Sequence, residues 1–144
     1  MVNNKGLIAV VDDELDIAQL FRDALQATNG FTIFAFTEPQ TAFEHFELNR
    51  EDYTLIISDL RMPSINGMEL IKKIKEINPY IRTILMTAFA INDDLFYEYA
   101  KKELINGFLQ KPIHLCDLRA EVNNQLHTYE LLKQESFINK VSSN

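Results

Sequence analysis

The stretch from Tyr53 to Pro63, YTLIISDLRMP, decides the fold of this chain. It opens with aliphatic, β-branched and aromatic residues on both faces, which is typical of a strand buried inside a parallel sheet. The apolar run stops at Ser58 and Asp59, and Met62-Pro63 then breaks the chain into a loop. A carboxylate at the end of a buried strand loses hydration, so it needs a partner or a function. Because open α/β sheets bind ligands at the carboxyl ends of their strands, we predict that Asp59 lies in the functional site.

Four more short apolar runs, at 7–11, 31–36, 82–87 and 107–110, alternate with helical patterns. After the first run, Ile17, Leu20 and Phe21 recur at the spacing of one helix face. The run at 31–36 alternates more than the others, which predicts a strand nearer the sheet edge. Five strand patterns that alternate with five helix patterns predict an α/β fold of right-handed parallel βαβ units.

Composition limits the possible functions of the chain. Its 144 residues, nearly half of them apolar, suit one globular domain. A net charge of −7 argues against direct binding of nucleic acid, which needs a basic surface. A single cysteine, Cys116, cannot form an internal disulfide and fits a reducing cytoplasm. No apolar run approaches the roughly 20 residues of a membrane span, and we expect no signal peptide and a cytoplasmic protein.

Polar residues follow four of the predicted strands: Asp12 and Asp13, Asp59, Thr87, and Lys111. Because the carboxyl ends of parallel strands share one edge, we expect these side chains to meet there. Clustered carboxylates repel one another unless a cation is present, and oxygen ligands are those that Mg²⁺ prefers. A hydroxyl and an ammonium supply donors for phosphoryl oxygens. The pattern predicts that Asp59 attacks a phosphoryl donor and becomes an aspartyl phosphate.

Simpler interpretations exist for each residue taken alone. Asp12 and Asp13 could be N-cap acids of the first helix, and a lone Lys111 is more often solvated. The three histidines have no metal-ligand spacing and are interpreted as surface or helix residues: His45, His114 and His127. The functional interpretation therefore depends on Asp59 and on the order of the strands.

Five motifs, in this order and at compatible intervals, resemble the receiver domains of two-component response regulators. They are VVDDE, SDLRMP, PSINGMEL, LMTA and FLQKP. The resemblance covers about residues 6–127 and implies a flavodoxin-like, doubly wound, five-stranded parallel sheet with five helices. It implies a receiver domain at 1–127, which leaves 128–144 as a helix extension or a polar tail. The apolar stripe of the last helix runs on to Leu131-Leu132, so the excess could also dock on a partner or a second copy.

The resemblance implies a role for each residue at the sheet edge. Asp59 corresponds to the phosphoacceptor, and Lys111, with a cis bond to Pro112, to the phosphoryl-binding lysine. Mg²⁺, with Mn²⁺ as a substitute, is implied at Asp12, Asp13, Asp59 and the backbone carbonyl of Arg61. Thr87 corresponds to the switch hydroxyl, and Phe108 to the aromatic residue that changes rotamer with it. Arg61 and Phe89 stand at the two positions that tune phosphoryl lifetime, and their bulk predicts slow self-dephosphorylation.

The implied function is a phosphorylation-controlled switch rather than an enzyme acting on other molecules. A sensor histidine kinase or a phosphotransfer protein would be the phosphodonor. The output would be a partner, a phosphorelay step or a homodimer, through the surface of helix 4, strand 5 and helix 5. Aromatic residues of helix 4, including Tyr97, make that surface a candidate interface.

Two other classes of protein fit the sequence less well. An aspartyl phosphohydrolase typically carries a general acid two residues after its nucleophile, where this chain has Arg61. A nucleotide-binding domain would need a glycine-rich loop, but the glycines at 6, 30, 67 and 107 are too far apart.

Overall fold

A computed structural model describes residues 5–28, 30–88 and 94–142 of the chain. Within these ranges five strands alternate with five helices. The strands are β1 (Gly6–Val11), β2 (Phe31–Phe36), β3 (Tyr53–Asp59), β4 (Arg82–Thr87) and β5 (Gly107–Gln110). The helices are α1 (Leu15–Leu25), α2 (Pro39–Leu48), α3 (Gly67–Ile77), α4 (Asp94–Lys101) and α5 (Leu115–Ser142). The predicted alternation is confirmed.

The strands form one parallel sheet in the order β2-β1-β3-β4-β5. Every residue of the central strand β3 is buried, as its continuous apolar run predicts. The more alternating strand β2 lies at one edge, as predicted. The order reverses between β1 and β3, which creates the crevice where ligands of this flavodoxin-like fold bind. Asp12, just after β1, and Asp59, the last residue of β3, border that crevice.

Alternate residues of the strands supply two apolar layers. Leu55 and Ile57 of β3 point to the layer under α1 and α5, together with Phe21 and Val122. Ile56 points to the opposite layer, which it shares with residues of α2 and α3 including Phe46, Leu70 and Ile74. Full burial of each such side chain contributes roughly 1.5–3 kcal/mol. Covering both faces of the sheet fixes the strand register and, with it, the positions of the strand ends.

Helix α1 differs from its predicted face at one position. Leu20 was expected to pack inward with Ile17 and Phe21, but it is 47% exposed, whereas Ala18 is fully buried. At roughly 100° per residue, Leu20 lies about 100° from Phe21 and about 140° from Leu25 around the helix, whereas Ala18 lies within about 60° of both. The three- and four-residue spacing found the helix but assigned its inward face too broadly.

His45 lies on helix α2, which agrees with its interpretation as a surface or helix residue, and it is half-buried there. Its Nδ1 lies 2.6 Å from the hydroxyl of Tyr53, and the two rings meet edge to face. Burial raises the pKa of the Tyr53 hydroxyl. This contact gives a polar partner to the otherwise fully buried first residue of β3.

At the amino end of the sheet, a buried polar network surrounds Lys75 of α3. Its Nζ donates to Asn106 Oδ1 at 2.9 Å and to the carbonyl oxygen of Pro79 at 3.4 Å. Asn106 Oδ1 also accepts from the backbone N–H of Thr83. Burial, followed by the charge of nearby Arg82, lowers the pKa of Lys75 to about 8.

Helix α5 spans 28 residues, a length of about 42 Å. Its first half covers the sheet through Leu118 and Val122, while Gln125 bonds Arg82 of β4 at 2.9 Å. From residue 130 to 139 every residue is exposed. None of the helices in the described ranges combines the length and hydropathy needed to cross a lipid bilayer.

Candidate functional site

Asp12 is held rigidly just after β1. Its backbone N–H donates to the carbonyl oxygen of Phe36 at 3.0 Å, and its Oδ1 accepts from the backbone N–H of Glu14 at 3.0 Å. The side chain is fully buried. The carboxylate is therefore fixed by the backbone of the turn into α1 and presents its other oxygen, Oδ2, to Lys111.

Asp59 closes β3 in a turn that the backbone defines closely. The N–H of Leu60 donates to Met86 of β4, and the N–H of Gly67 donates back to the carbonyl oxygen of Leu60, both at 2.8 Å. A Cβ atom added at Gly67 would collide with the main-chain oxygen of Asp59. A side chain at position 67 would therefore push this turn apart, which gives a physical reason for glycine there.

Lys111 follows β5 and contacts the acidic residues at the ends of both β1 and β3. Its backbone N–H donates to Thr87 at 2.7 Å, and the peptide bond to Pro112 is cis, as the resemblance implied. Its Nζ lies 2.9 Å from Asp12 Oδ2 and 3.3 Å from Asp59 Oδ2. One ammonium therefore bridges two carboxylates that are almost completely buried.

The electrostatics of the site are those of crowded acids around one cation. Burial raises the pKa of Asp59, and Asp12 and Asp13 raise it further by repulsion, while Lys111 opposes them only in part. Burial lowers the pKa of Lys111, but its hydrogen bonds and attraction to Asp12 and Asp59 outweigh this, so its pKa is raised overall. The carboxylates of Asp12, Asp13 and Asp59 repel one another, and additional positive charge at the site would reduce this repulsion.

Carboxylate oxygens of Asp12, Asp13 and Asp59 all lie within 4.8 Å of one another. Asp12 and Asp59 are buried and Asp13 is exposed, so the group opens toward solvent on one side. Three carboxylates are a donor set for a hard divalent cation and would be a poor one for a soft metal. The residues present therefore fit Mg²⁺.

A pocket of about 220 Å³ opens above these acids. It is lined by Asp13, Glu14, Asp59, Arg61, Thr87, Ala88 and Lys111. The structure thus brings together the sequence-predicted residues of strands β1, β3 and β4 and of the turn after β5. Glu14, the last residue of the motif VVDDE, was not assigned a role from the sequence. The signal that could have found it is its place directly after the acidic pair.

Of the described residues that were predicted for the site, Asp12 and Phe108 are not part of this pocket lining. Phe108, on β5, is 38% exposed. Phe89 lies outside the described residues, so its predicted effect on phosphoryl lifetime has no structural counterpart here. Larger hollows, of about 530 and 370 Å³, lie beside α5 and include Tyr80 in their lining, but neither contains any of the site acids.

Comparison with known proteins identifies the family. The model of the response regulator receiver domain matches residues 8–123. This chain belongs to that family. The receiver protein CpdR of Brucella abortus (strain 2308) is 30% identical over 122 residues, which are 83% of this chain and 95% of CpdR.

Two further relatives place the receiver domain in longer and shorter proteins. The DNA-binding transcriptional regulator NtrC of Escherichia coli (strain K12) is 29% identical over 130 residues, or 90% of this chain. The chain spans only 27% of NtrC, about a quarter of its length. A crystal structure of a response regulator receiver domain protein from Clostridium thermocellum matches with a TM-score of 0.74 and 28% identity, covering 88% of this chain and 98% of that one.

Membership of the family establishes the general character of the domain. Receiver domains are signalling switches rather than conventional enzymes, and they act generally as phosphoacceptors that bind Mg²⁺. Receiver domains interact with histidine kinases or phosphotransfer proteins.

Proposed function

We propose that Asp59 accepts a phosphoryl group from a sensor histidine kinase or a phosphotransfer protein in a Mg²⁺-dependent reaction. The observation that carries the proposal is the bridge from Lys111 Nζ to Asp12 and Asp59. This bridge lies at the crevice between β1 and β3, in a chain of the receiver family.

Each residue has one task in this proposal. A carboxylate oxygen of Asp59 forms a bond to phosphorus as the bond between phosphorus and the donor breaks. Lys111 turns its N–H groups from the Asp59 carboxylate to the phosphoryl oxygens. Asp12, Asp13, Asp59 and the backbone carbonyl of Arg61 hold Mg²⁺, with Mn²⁺ as a substitute. When bound, the ion supplies positive charge that offsets repulsion among the acids and the phosphoryl oxygens.

The test is to incubate the protein with a small phosphodonor such as acetyl phosphate and to measure its intact mass by mass spectrometry. We expect a gain of one phosphoryl group in the presence of Mg²⁺ and no gain in EDTA. Asp59→Asn should abolish the gain. Asp52→Asn, just before the opposite end of the same strand, is the matched control and should keep it. A phosphorylated Asp59→Asn variant would contradict the proposal.

The proposed output is a change in the surface of α4, β5 and α5. Thr87 is 1% exposed beside Asp59, and Phe108 is 38% exposed on the neighbouring strand. Attraction of the Thr87 hydroxyl to the phosphoryl group would leave room for Phe108 to move inward. This bias on an existing equilibrium has a typical magnitude of about 1–3 kcal/mol.

Hydrogen exchange of α4, β5 and α5 measures this coupling directly. We expect phosphorylation to change exchange in these elements in the wild type. Thr87→Ala should accept the phosphoryl group at Asp59 and leave exchange unchanged. If the variant responds like the wild type, the hydroxyl is not the link.

The proposed phosphoryl lifetime is long. Arg61 lines the pocket, and with Phe89 it would hinder the water that attacks phosphorus. The double variant Arg61→Asn, Phe89→Glu should therefore lose its phosphoryl group faster than the wild type. Equal decay of the two proteins, followed by intact mass, would remove this part of the proposal.

The proposed setting is the cytoplasm, with a protein as the direct target. A net charge of −7 disfavours direct contact with nucleic acid. A homodimer through α4, β5 and α5 is a further proposed output and would depend on phosphorylation.

A further inference from the structure

The apolar residues of α5 change from one side of the helix to the other along its length. In the first half Leu118 and Val122 are fully buried against the sheet. Leu131 and Ile138 are 51% and 60% exposed. At roughly 100° per residue they lie about 160–180° around the helix from Val122, on the side that faces away from the domain. The body of the domain therefore cannot cover them.

These outward residues follow the spacing of a coiled-coil seam. His127, Leu131, Gln134 and Ile138 are separated by four, three and four residues, which keeps them on one stripe of a helix. We call these four residues the outer seam. Phe137, 69% exposed, borders the stripe, and a surface hollow of about 450 Å³ lies along it. The apolar residues of this surface are Leu131, Phe137 and Ile138, and an exposed apolar patch marks a protein–protein contact.

We propose that the outer seam pairs with the outer seam of a second copy of this chain, and that the two helices run antiparallel. The charged residues beside the seam indicate that its partner is a second copy of the chain. Glu130 and Lys133 lie on one flank of the seam, and Glu135 lies on the other. In an antiparallel pair a flank meets its own counterpart, so Glu130 of each copy approaches Lys133 of the other.

A parallel pair would place unlike flanks together. Glu130 of one copy would then face Glu135 of the other, which puts like charges side by side on both flanks. The antiparallel order avoids this repulsion. A two-fold axis makes the attractive pair occur twice, as in a self-complementary interface.

The position of the domain body permits this arrangement. The sheet packs on the side of α5 opposite the outer seam, so the two bodies lie on the outside of the helix pair. The seam also begins after the last residue matched by the family model, 123. About two heptads bury less than the roughly 800 Å² per partner of a standard interface, so we expect a weak dimer that does not require phosphorylation.

Sedimentation velocity of the unphosphorylated 144-residue chain over a wide concentration range provides the first test. We expect a monomer–dimer equilibrium, and Ile138→Glu should raise the dissociation constant at least tenfold. Leu48→Glu is the matched control, because Leu48 is an 85% exposed leucine on α2 and should leave the equilibrium unchanged. Circular dichroism confirms that each variant keeps its helices. A monomer at every concentration overturns the proposal and assigns the seam to a different protein.

A charge exchange tests the antiparallel order separately. Glu130→Lys should weaken the dimer several-fold, because two lysine side chains then approach each other on the shared flank. Adding Lys133→Glu should restore the wild-type dissociation constant. A parallel pair predicts the opposite, since Glu130→Lys would meet Glu135 and tighten the dimer. Tightening of that single variant overturns the antiparallel order.

Discussion

Each end of this sheet has a lysine withdrawn from solvent, Lys75 buried and Lys111 partly buried, in two opposite electrostatic settings. At the carboxyl end Lys111 Nζ bridges the carboxylates of Asp12 and Asp59. At the amino end Lys75 Nζ bonds the side-chain oxygen of Asn106 and the carbonyl oxygen of Pro79. Burial disfavours the charge of both lysines. Only Lys111 has carboxylates that outweigh burial, so its pKa is raised while that of Lys75 falls to about 8.

The charge of Lys111 stabilises the folded protein, because it offsets two carboxylates. The charge of Lys75 destabilises it, because burial is not offset. Without Lys111, the carboxylates of Asp12 and Asp59 would lose the ammonium that bridges them. Without Lys75, Asn106 Oδ1 would keep its bonds from Thr83. Four substitutions, ordered by the size of the expected effect, test this contrast between the two ends.

Gly67→Ala should have the largest effect. The new Cβ meets the main-chain oxygen of Asp59, and because backbone cannot move aside cheaply we expect a loss of about 3 kcal/mol in unfolding free energy. Gly107→Ala at the amino end is the control. Its Cβ meets the side-chain ends of Glu121 and Gln125, which can shift, so we expect a loss of about 1 kcal/mol. Urea unfolding measures both, and equal losses would contradict the distinction.

Lys111→Met should cost about 2 kcal/mol when unfolding is measured in EDTA at pH 7. Removing one partner of a buried ion pair leaves uncompensated charge, although partial exposure of Asp59 and hydration reduce the cost. Mg²⁺ should recover more stability in this variant than in the wild type, because it meets acids that have lost their cation. If Mg²⁺ has the same effect on both proteins, the ion does not lie among these carboxylates.

Lys75→Met should instead gain between about 1 and 2 kcal/mol at pH 7, because an apolar chain of similar volume removes the cost of burying charge. The gain should shrink above pH 8. Between about pH 8 and the ordinary lysine pKa of 10.5, folded Lys75 has lost its proton while the unfolded chain retains it. The stability of the wild type therefore rises relative to the variant over that interval. A difference that is constant from pH 7 to pH 10 would contradict the lowered pKa.

Asp59→Asn should give the smallest change in stability, a gain of about 1 kcal/mol in EDTA. Burial and the neighbouring acids disfavour the Asp59 carboxylate, and an amide of the same shape removes that penalty while abolishing the proposed phosphorylation. Thermal or urea unfolding beside the phosphorylation assay separates the two effects. A less stable variant would mean that Lys111 more than compensates the Asp59 charge.

The carboxyl end of the sheet was largely predictable from the sequence. Asp12, Asp59, Thr87 and Lys111 each follow an apolar run, and the parallel order of strands requires such residues to share one edge. The proximity of these four residues could therefore be predicted without knowing any individual contact. The buried fraction of Asp59 and the bridging position of Lys111 Nζ required coordinates, since they depend on turn geometry.

The amino end was not predictable in the same way. Lys75 follows Ile74 in a helix and has the pattern of an ordinary solvated lysine. Its burial depends on Asn106, 31 residues away, and on the loop that precedes β5. For the end of α5, an extension of the helix and docking of Leu131-Leu132 on a partner or a second copy were both left open by the sequence. The side of the helix was not predicted, because the apolar stripe was taken to continue through Leu131, which lies about 180° from Val122.

The hydrogen bond from Arg82 to Gln125 fixes α5 to the sheet at one point, beyond which the helix projects as a lever. Gln125 ties the helix to β4, and the 17 residues from there to Ser142 extend about 25 Å beyond that fulcrum. A tilt of only about 10° at the fulcrum would sweep the tip through roughly 4 Å. A slight adjustment of the sheet can thus become a displacement larger than a hydrogen bond at the far end of the molecule.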